Sequence, residues 1–283
     1  MEVRTFGEAK SSSLASSLRS FLRSTEARHN QRRKQPSLPI EFGKSFQKSS
    51  NPLSGPTAFI DFLLAALPDH EAYLFGGAIR DFALFGRPGF NSDLDLVVTC
   101  PSSTLAEVLP SSGVARNKFG GFRLTVGQQE VDVWSAPETW AFKEGLLEYS
   151  GIESLLSTVV INWDAVLLNL RKFDLLTYDC FFEEIEKRHL DVRYTKNPNP
   201  TNVATKILRY ISLKEVKTVS FDLVDYAKSA IKAIGIDAII RREMEQFGSV
   251  YITKQIASAF LTYESDECSE IDIGDLLYVG SFR

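Results

Sequence analysis

Tyr73-Leu-Phe-Gly76-Gly77-Ala-Ile-Arg80-Asp-Phe-Ala-Leu-Phe-Gly86-Arg87-Pro-Gly-Phe-Asn-Ser-Asp93-Leu-Asp95-Leu-Val-Val98 is the stretch that decides how this chain is read. Its apolar start, Ala72–Phe75, predicts a short buried strand, and Gly76-Gly77 a sharp turn into a helix over about Ala78–Phe85. Two residues without Cβ let the backbone turn tightly and let a phosphate approach the amides at the helix N-terminus. Arg80 follows in the first helical turn, within reach of an anion or a carboxylate. Gly86–Ser92 reads as a loop. Asp93–Val98 is the clearest strand: a period of two sets Asp93 and Asp95 on one face while Leu94 and Leu96 point to the core. Two close carboxylates repel and favour a divalent cation between them, and an oxygen-only donor set suits Mg2+ completed by substrate phosphates. The plain structural reading of the same Asp-Leu-Asp is a polar strand end at an exposed loop.

A third carboxylate shifts that balance. Phe122–Val126 and Glu130–Trp134 read as two more strands around a turn built on Gly127. Asp132 lies in the second of them between Val131 and Val133. If that strand neighbours Asp93–Val98, Asp132 joins the first two acids, as second metal ligand or as proton acceptor for an attacking hydroxyl. Glu130 shares its face and is the runner-up. A small helix is expected near Leu105–Leu109, and a strand pair within Leu170–Leu176. Upstream, Phe59, Phe62, Leu63, Ala66 and Leu67 form a helical stripe that Pro68 ends.

The chain has 283 residues, 44% hydrophobic and 24% charged, an ordinary globular balance. No apolar run reaches the roughly 20 residues that span a bilayer, so no membrane association is expected. The three cysteines are scattered without CxxC spacing, as in a reduced, cytoplasmic protein without a zinc framework. The net charge of −4 hides an asymmetry: residues 1–50 carry ten Lys and Arg against four acids, and the remainder 22 against 32. A basic arm on an acidic body suits a polyanionic partner or, more plainly, a solvated tail. Residues 1–55 are Ser-rich and polar and read as a disordered arm, with a short amphipathic helix at Leu14, Leu18, Phe21 and Leu22. A mixed α/β domain with a small mixed sheet is then expected over 56–195, and a small helical domain over 196–283, beginning with the stripe Val203, Ile207, Leu208 and Ile211.

Gly-Gly-x-x-Arg-Asp, a helix, Gly-Arg, a loop, Asp-x-Asp and a later apolar-Asp-apolar strand resemble the polymerase-β-like nucleotidyltransferase superfamily. The resemblance is nearest to the head domain of tRNA CCA-adding enzymes and bacterial poly(A) polymerases, and Gly76, Gly77, Arg80, Asp81, Gly86, Arg87, Asp93, Asp95 and Asp132 carry it. It implies a nucleotidyltransferase head in which the glycines hold an NTP triphosphate and the three aspartates hold catalytic Mg2+. With less strength, Ile161-Asn162 resembles the ribose-discriminating motif, preceded here by Leu156-Ser157-Thr158 in place of Arg-Arg-Asp. Ala204–Arg209 resembles the neck helix whose basic residues face the nucleotide, with Lys206 and Arg209 in the basic positions and Asn202-Val203 in place of Glu-Asp. The implied nucleotide contacts are therefore Gly76, Gly77, Arg80, Arg87, Asn162, Lys206 and Arg209, and the implied partners an NTP and an RNA acceptor.

Two functions follow from these residues. One is Mg2+-dependent transfer of a nucleoside monophosphate from an NTP to a hydroxyl, either a tRNA-like RNA 3′ end or a protein hydroxyl, with release of pyrophosphate. The other is a non-catalytic nucleotide- or RNA-binding module that keeps the head fold. Lesser signals read as structure: Trp134, Trp140 and Phe142 as core, Asn117–Arg123 as a hairpin turn with solvated cations, and Arg241–Glu245 as a solvated helix face.

Overall fold

The structure, a computed structural model, describes residues 11–22, 51–89, 92–110, 113–117, 119–197, 199–264 and 270–279. They fall into two compact units: the first runs to Leu155 and adds Val166–Thr177, and the second comprises Leu156–Ala165 and Tyr178 onward. Residues 156–165 and 178–195, expected in the head, thus group with the helical part.

The first unit opens with α1, residues 11–22, a helix where the Leu14–Leu22 stripe predicts one. It buries Ala15, Leu18 and Leu22. Its Phe21 ring meets Phe82 at 5.6 Å between centroids, and Thr57 donates its hydroxyl proton to the Leu22 carbonyl. Part of the expected disordered arm is therefore an ordered helix; residues 1–10 and 23–50 lie outside the described residues. Helix α2 (Pro56–Ala66) starts on a proline, whose missing N–H costs nothing at a first turn, and buries Phe59, Ile60 and Leu63.

The expected mixed sheet follows, with seven strands. In chain order the first unit runs β1 (Ala72–Phe75), α3 (Gly77–Phe85), β2 (Leu94–Val98), α4 (Ser102–Val108), β3 (Val114–Arg116), β4 (Phe122–Val126), β5 (Gln129–Ser135), α5 (Trp140–Lys143), β6 (Val166–Asn169) and β7 (Leu175–Thr177). Across the sheet the order is β3-β4-β5-β2-β1-β6-β7. Only β2 and β5 run parallel; every other neighbouring pair is antiparallel. β4 and β5 form a tight hairpin in which Val126 pairs with Gln129, and Gly127 takes the positive φ of +66° that such a turn needs. Both strands alternate: Phe122, Leu124, Val126, Val131 and Val133 are buried, while Arg123, Thr125, Glu130 and Asp132 lie on the other face. β6, between β1 and the edge strand β7, is buried along its whole length.

The strand pair expected at 170–176 is displaced. Asn169 accepts bonds from the Arg171 and Lys172 amides through its side-chain oxygen, and Phe173 sits at φ +59°. Residues 170–174 are therefore the turn, and the strands flank it.

The second unit contains α6 (Phe181–Lys187), β8 (His189–Leu190), α7 (Pro200–Leu213), β9 (Thr218–Ser220), α8 (Phe221–Ile234), α9 (Ile236–Phe247), α10 (Lys254–Thr262), β10 (Glu270–Asp272) and α11 (Ile273–Val279). Beyond the expected helices it holds a three-stranded sheet in the order β10-β9-β8, with strands too short to show a period. Trp163, fully buried, donates its indole N–H to the His189 carbonyl at 2.6 Å and stacks on Tyr210. Among the described residues no helix is long and apolar enough to cross a membrane.

The Arg241–Glu245 stretch of α9 departs from the expected solvated face. Glu243 is 0% exposed, pairs with Arg209 at 2.6 Å and accepts the Tyr251 and Ile252 amides. Arg209 in turn lies 4.1 Å from the Phe247 ring and 5.2 Å from the Tyr251 ring. Glu243→Ala leaves a mostly buried guanidinium, the buried Ile252 amide and the part-buried Tyr251 amide without their acceptor, a loss of about 3 kcal/mol. Glu245→Ala, on an exposed partner, stays within about 0.5 kcal/mol. Chemical denaturation of the two variants should separate them by that margin; equal midpoints would remove Glu243 as the anchor of this unit.

Candidate active site

The turn after β1 sets the geometry of the candidate site. Gly76 stands at φ +61°, ψ −107°, a conformation that a side chain resists, and its amide donates to the Val166 carbonyl at 2.9 Å. α3 then begins at Gly77 with no side-chain cap on its N-terminus. β1 and β2 are antiparallel, with Leu74 opposite Leu96. The Gly76-Gly77 turn therefore lies at the end of the sheet where β2 begins, with Asp93 just before the strand and Asp95 its second residue.

The cations nearest this turn are already engaged. Arg80 is buried and donates from Nε to Asp81 Oδ1 at 2.8 Å. Asp81, also buried, accepts from the Ser92 hydroxyl as well. The ion pair thus ties the first turns of α3 to the segment entering β2. Arg87 sits on an exposed turn, its guanidinium 5.8 Å from the Phe21 ring of α1.

The carboxylates meet through register. β2 and β5 run parallel with Asp95 directly opposite Asp132, and both are half-buried on one face of the sheet. Asp93 precedes Asp95 by two residues and shares that face. Burial pushes the Asp93 carboxyl above the ordinary carboxylate range; Arg123 opposes the rise, while Asp132 and Glu130 add to it. Asp93, Glu130, Asp132 and Arg123 therefore form one electrostatic group, which Asp95 adjoins through its register with Asp132.

Arg123 was not among the expected site residues. On β4 it is the direct cross-strand partner of Asp132, on the opposite side of β5 from Asp95. It grips both carboxylate oxygens, from Nε to Oδ1 at 2.9 Å and from Nη2 to Oδ2. The hydrogen bond to Asp132 and the nearby acids raise its affinity for its proton further. A transverse row, Arg123–Asp132–Asp95, thus crosses β4, β5 and β2. Thr125 and Glu130 form the next rung, with the threonine hydroxyl donating to the glutamate at 2.7 Å.

The donor set fits Mg2+ in kind, being hard carboxylate oxygens on one face. In arrangement it is not closed: among the described residues no three acidic, His or Cys side chains are placed to hold a metal ion. Asp132 is held by the arginine on its far side.

Three further expected contacts belong to the second unit, where each has an internal partner. Asn162 is fully buried; its amide donates to Glu184 at 2.6 Å and to the His189 carbonyl, and its oxygen accepts the Asp191 amide. It braces that unit. Lys206 pairs with Asp164 at 2.6 Å while two-fifths of its side chain, 41%, stays exposed. Arg209 is held by Glu243, as described. Trp134, expected as core, packs edge-on to Phe75 and donates to the Thr139 hydroxyl. The Asn117–Arg123 segment is the expected hairpin, with Asn117 accepting the Phe119 and Gly121 amides; Lys118 lies outside the described residues.

No protein-family model matches the chain, and no curated protein does. Among solved structures it is similar to a CCA-adding enzyme in complex with CTP, at 20% identity and a TM-score of 0.46, over 71% of this chain and 56% of that one. It is also similar to the Thermotoga maritima CCA-adding enzyme complexed with tRNA, at 19% identity and a TM-score of 0.47, over 71% and 55%. A tRNA nucleotidyltransferase complexed with a primer tRNA and an incoming ATP analog aligns at 16% identity and a TM-score of 0.46, over 70% and 65%. The chain spans about half the length of the first of these structures.

Proposed function

We propose that the first unit is a nucleotidyltransferase that moves a nucleoside monophosphate from an NTP to a hydroxyl acceptor, an RNA 3′ end, and releases pyrophosphate. The observation that carries this reading is the in-register pairing of Asp95 with Asp132, with Asp93 on the same face and the Gly76-Gly77 turn at the same end of the sheet. A packed domain has no structural need for two carboxylates paired in register with a third two residues away; charge of that density suits a site that meets cations and phosphates. The motif resemblance, residue by residue at Gly76, Gly77, Asp93, Asp95 and Asp132, supports the same reading. The RNA acceptor rests on that resemblance and on the basic N-terminal segment.

In this proposal the uncapped first turn of α3 receives the triphosphate, and the glycines keep side chains out of its approach. Asp93 and Asp95 would hold Mg2+, with Asp132 as the third donor, and the bound ion would supply charge neutralisation of the phosphates and a lowered hydroxyl pKa at the acceptor. In this reading Asp132 also accepts the acceptor hydroxyl proton at Oδ, which requires that Arg123 give up its hold on that carboxylate. The new bond joins that oxygen to the α-phosphorus, and the bond to the bridging oxygen breaks as pyrophosphate leaves. The Arg80–Asp81–Ser92 network acts indirectly, fixing the turn against the start of β2. The Arg123–Asp132 pair favours a second reading, a nucleotide-binding module that does not turn over.

Transfer of label from α-labelled NTPs to short RNAs separates the two. Asp93→Asn and Asp95→Asn should each reduce transfer roughly a hundredfold or more, since metal charge stabilisation is worth several kcal/mol. Equal labelling by wild type and Asp93→Asn would remove these residues from the chemistry, and nucleotide binding without any transfer would favour the binding module.

Gly77→Ala gives a sharper test of the turn. A methyl group there meets Arg80 Nη2 at 3.6 Å and Ser92 Oγ at 3.8 Å, ordinary contacts, so stability should hold or rise by up to about 1 kcal/mol. NTP affinity should nonetheless fall, because the methyl enters the phosphate approach. Gly76→Ala, at positive φ, should instead lower stability by about 1–3 kcal/mol. Unchanged NTP affinity in Gly77→Ala, measured by calorimetry, would place the phosphates elsewhere.

A further inference from the structure

We propose that Arg123 is a built-in counterion that competes with the divalent cation for Asp132, so that this arginine sets how readily the carboxylate group loads metal. The inference rests on the transfer-site reading above and names a residue that this reading does not contain.

The argument begins with the position of β5. It lies between β4 and β2, so Asp132 has a cation donor on one side and a carboxylate, Asp95, on the other. Neighbouring strands stand about 4.8 Å apart, close enough for Asp95 and Asp132 to repel unless a cation lies with them. Arg123 supplies that charge from within the chain. It does so at two points, occupying both oxygens of Asp132, whereas a single-point contact would leave one oxygen free for a metal. The same register commits Asp132 to its β4 neighbour.

The pair is also placed so that it can exchange. The Arg123 side chain is 55% exposed and that of Asp132 15% exposed, so water screens the bond and can replace it on the guanidinium. An exposed pair of this kind is weak compared with the attraction of several carboxylates for a divalent ion. Asp93 and Glu130 act on the same guanidinium through charge, so its departure leaves an acidic group that a divalent ion must balance. Arg123 therefore offsets the charge of Asp132 before loading, and its release makes Asp132 available both as a ligand and as a proton acceptor.

Binding of Mn2+ to the full chain, followed by the loss of the free ion's electron paramagnetic resonance signal, tests this without turnover. Arg123→Gln should tighten Mn2+ binding by about two- to fivefold, the effect of removing an exposed ion-pair partner. Arg123→Lys keeps the charge but loses the two-point grip, and should fall between wild type and Arg123→Gln. In an Asp132→Asn background the gain from Arg123→Gln should vanish. If Mn2+ binds at a site that Asp93→Asn abolishes and neither Arg123 substitution tightens it, Arg123 is no competitor and only this inference fails. If no Mn2+ binding in any variant depends on Asp93, the transfer-site reading itself fails.

Discussion

Two carboxylates held side by side by a parallel strand pair are the constraint on which the rest of the site depends. Asp95 and Asp132 face each other because β2 and β5 pair in register, and that pairing is enforced by the apolar residues between the acids. Leu94, Leu96, Val131 and Val133 must all reach the core face. A slip of one residue would bury both acids and expose the leucines and valines, so the hydrophobic pattern holds the charges together as firmly as it holds the sheet. At an effective dielectric of about 20, two such charges about 5 Å apart repel by roughly 3 kcal/mol, and something positive must answer them. Arg123 answers them inside the chain.

Much of this was legible in the sequence because its signals are local. The strand Ala72–Phe75 is a short apolar run before two glycines, and the Asp93–Val98 segment alternates cleanly; both stand within a residue of where they are expected. The hairpin from Phe122 to Trp134 was equally readable, since Gly127 marks its turn. The Arg123–Asp132 pair was legible in principle too. Once the turn is placed between Val126 and Gln129, counting outward pairs Thr125 with Glu130 and Arg123 with Asp132. That count, and no local signal at Arg123 itself, separates this arginine from a solvated cation.

What stayed hidden depends on distant partners. Nothing local to Asn162 announces that its amide is consumed by Glu184, His189 and Asp191, more than twenty residues away. Arg209 and Glu243 are 34 residues apart, and the flanking Arg241, Arg242 and Glu245 disguise the buried glutamate as part of a solvated face. β3 and the strands of the small second sheet are two or three residues long, too short to carry a period. Tertiary burial decided these cases, and a single sequence shows burial only where an apolar stripe is long enough to count.

The most direct measurement is the location of a bound ion. Crystals grown with Mn2+ and a non-hydrolysable NTP, read by anomalous scattering, should show manganese against the carboxylates of Asp93 and Asp95, with the triphosphate at the Gly76-Gly77 turn. A nucleotide seated there with no ion on either aspartate, or manganese bound only at acids elsewhere in the chain, would contradict the account.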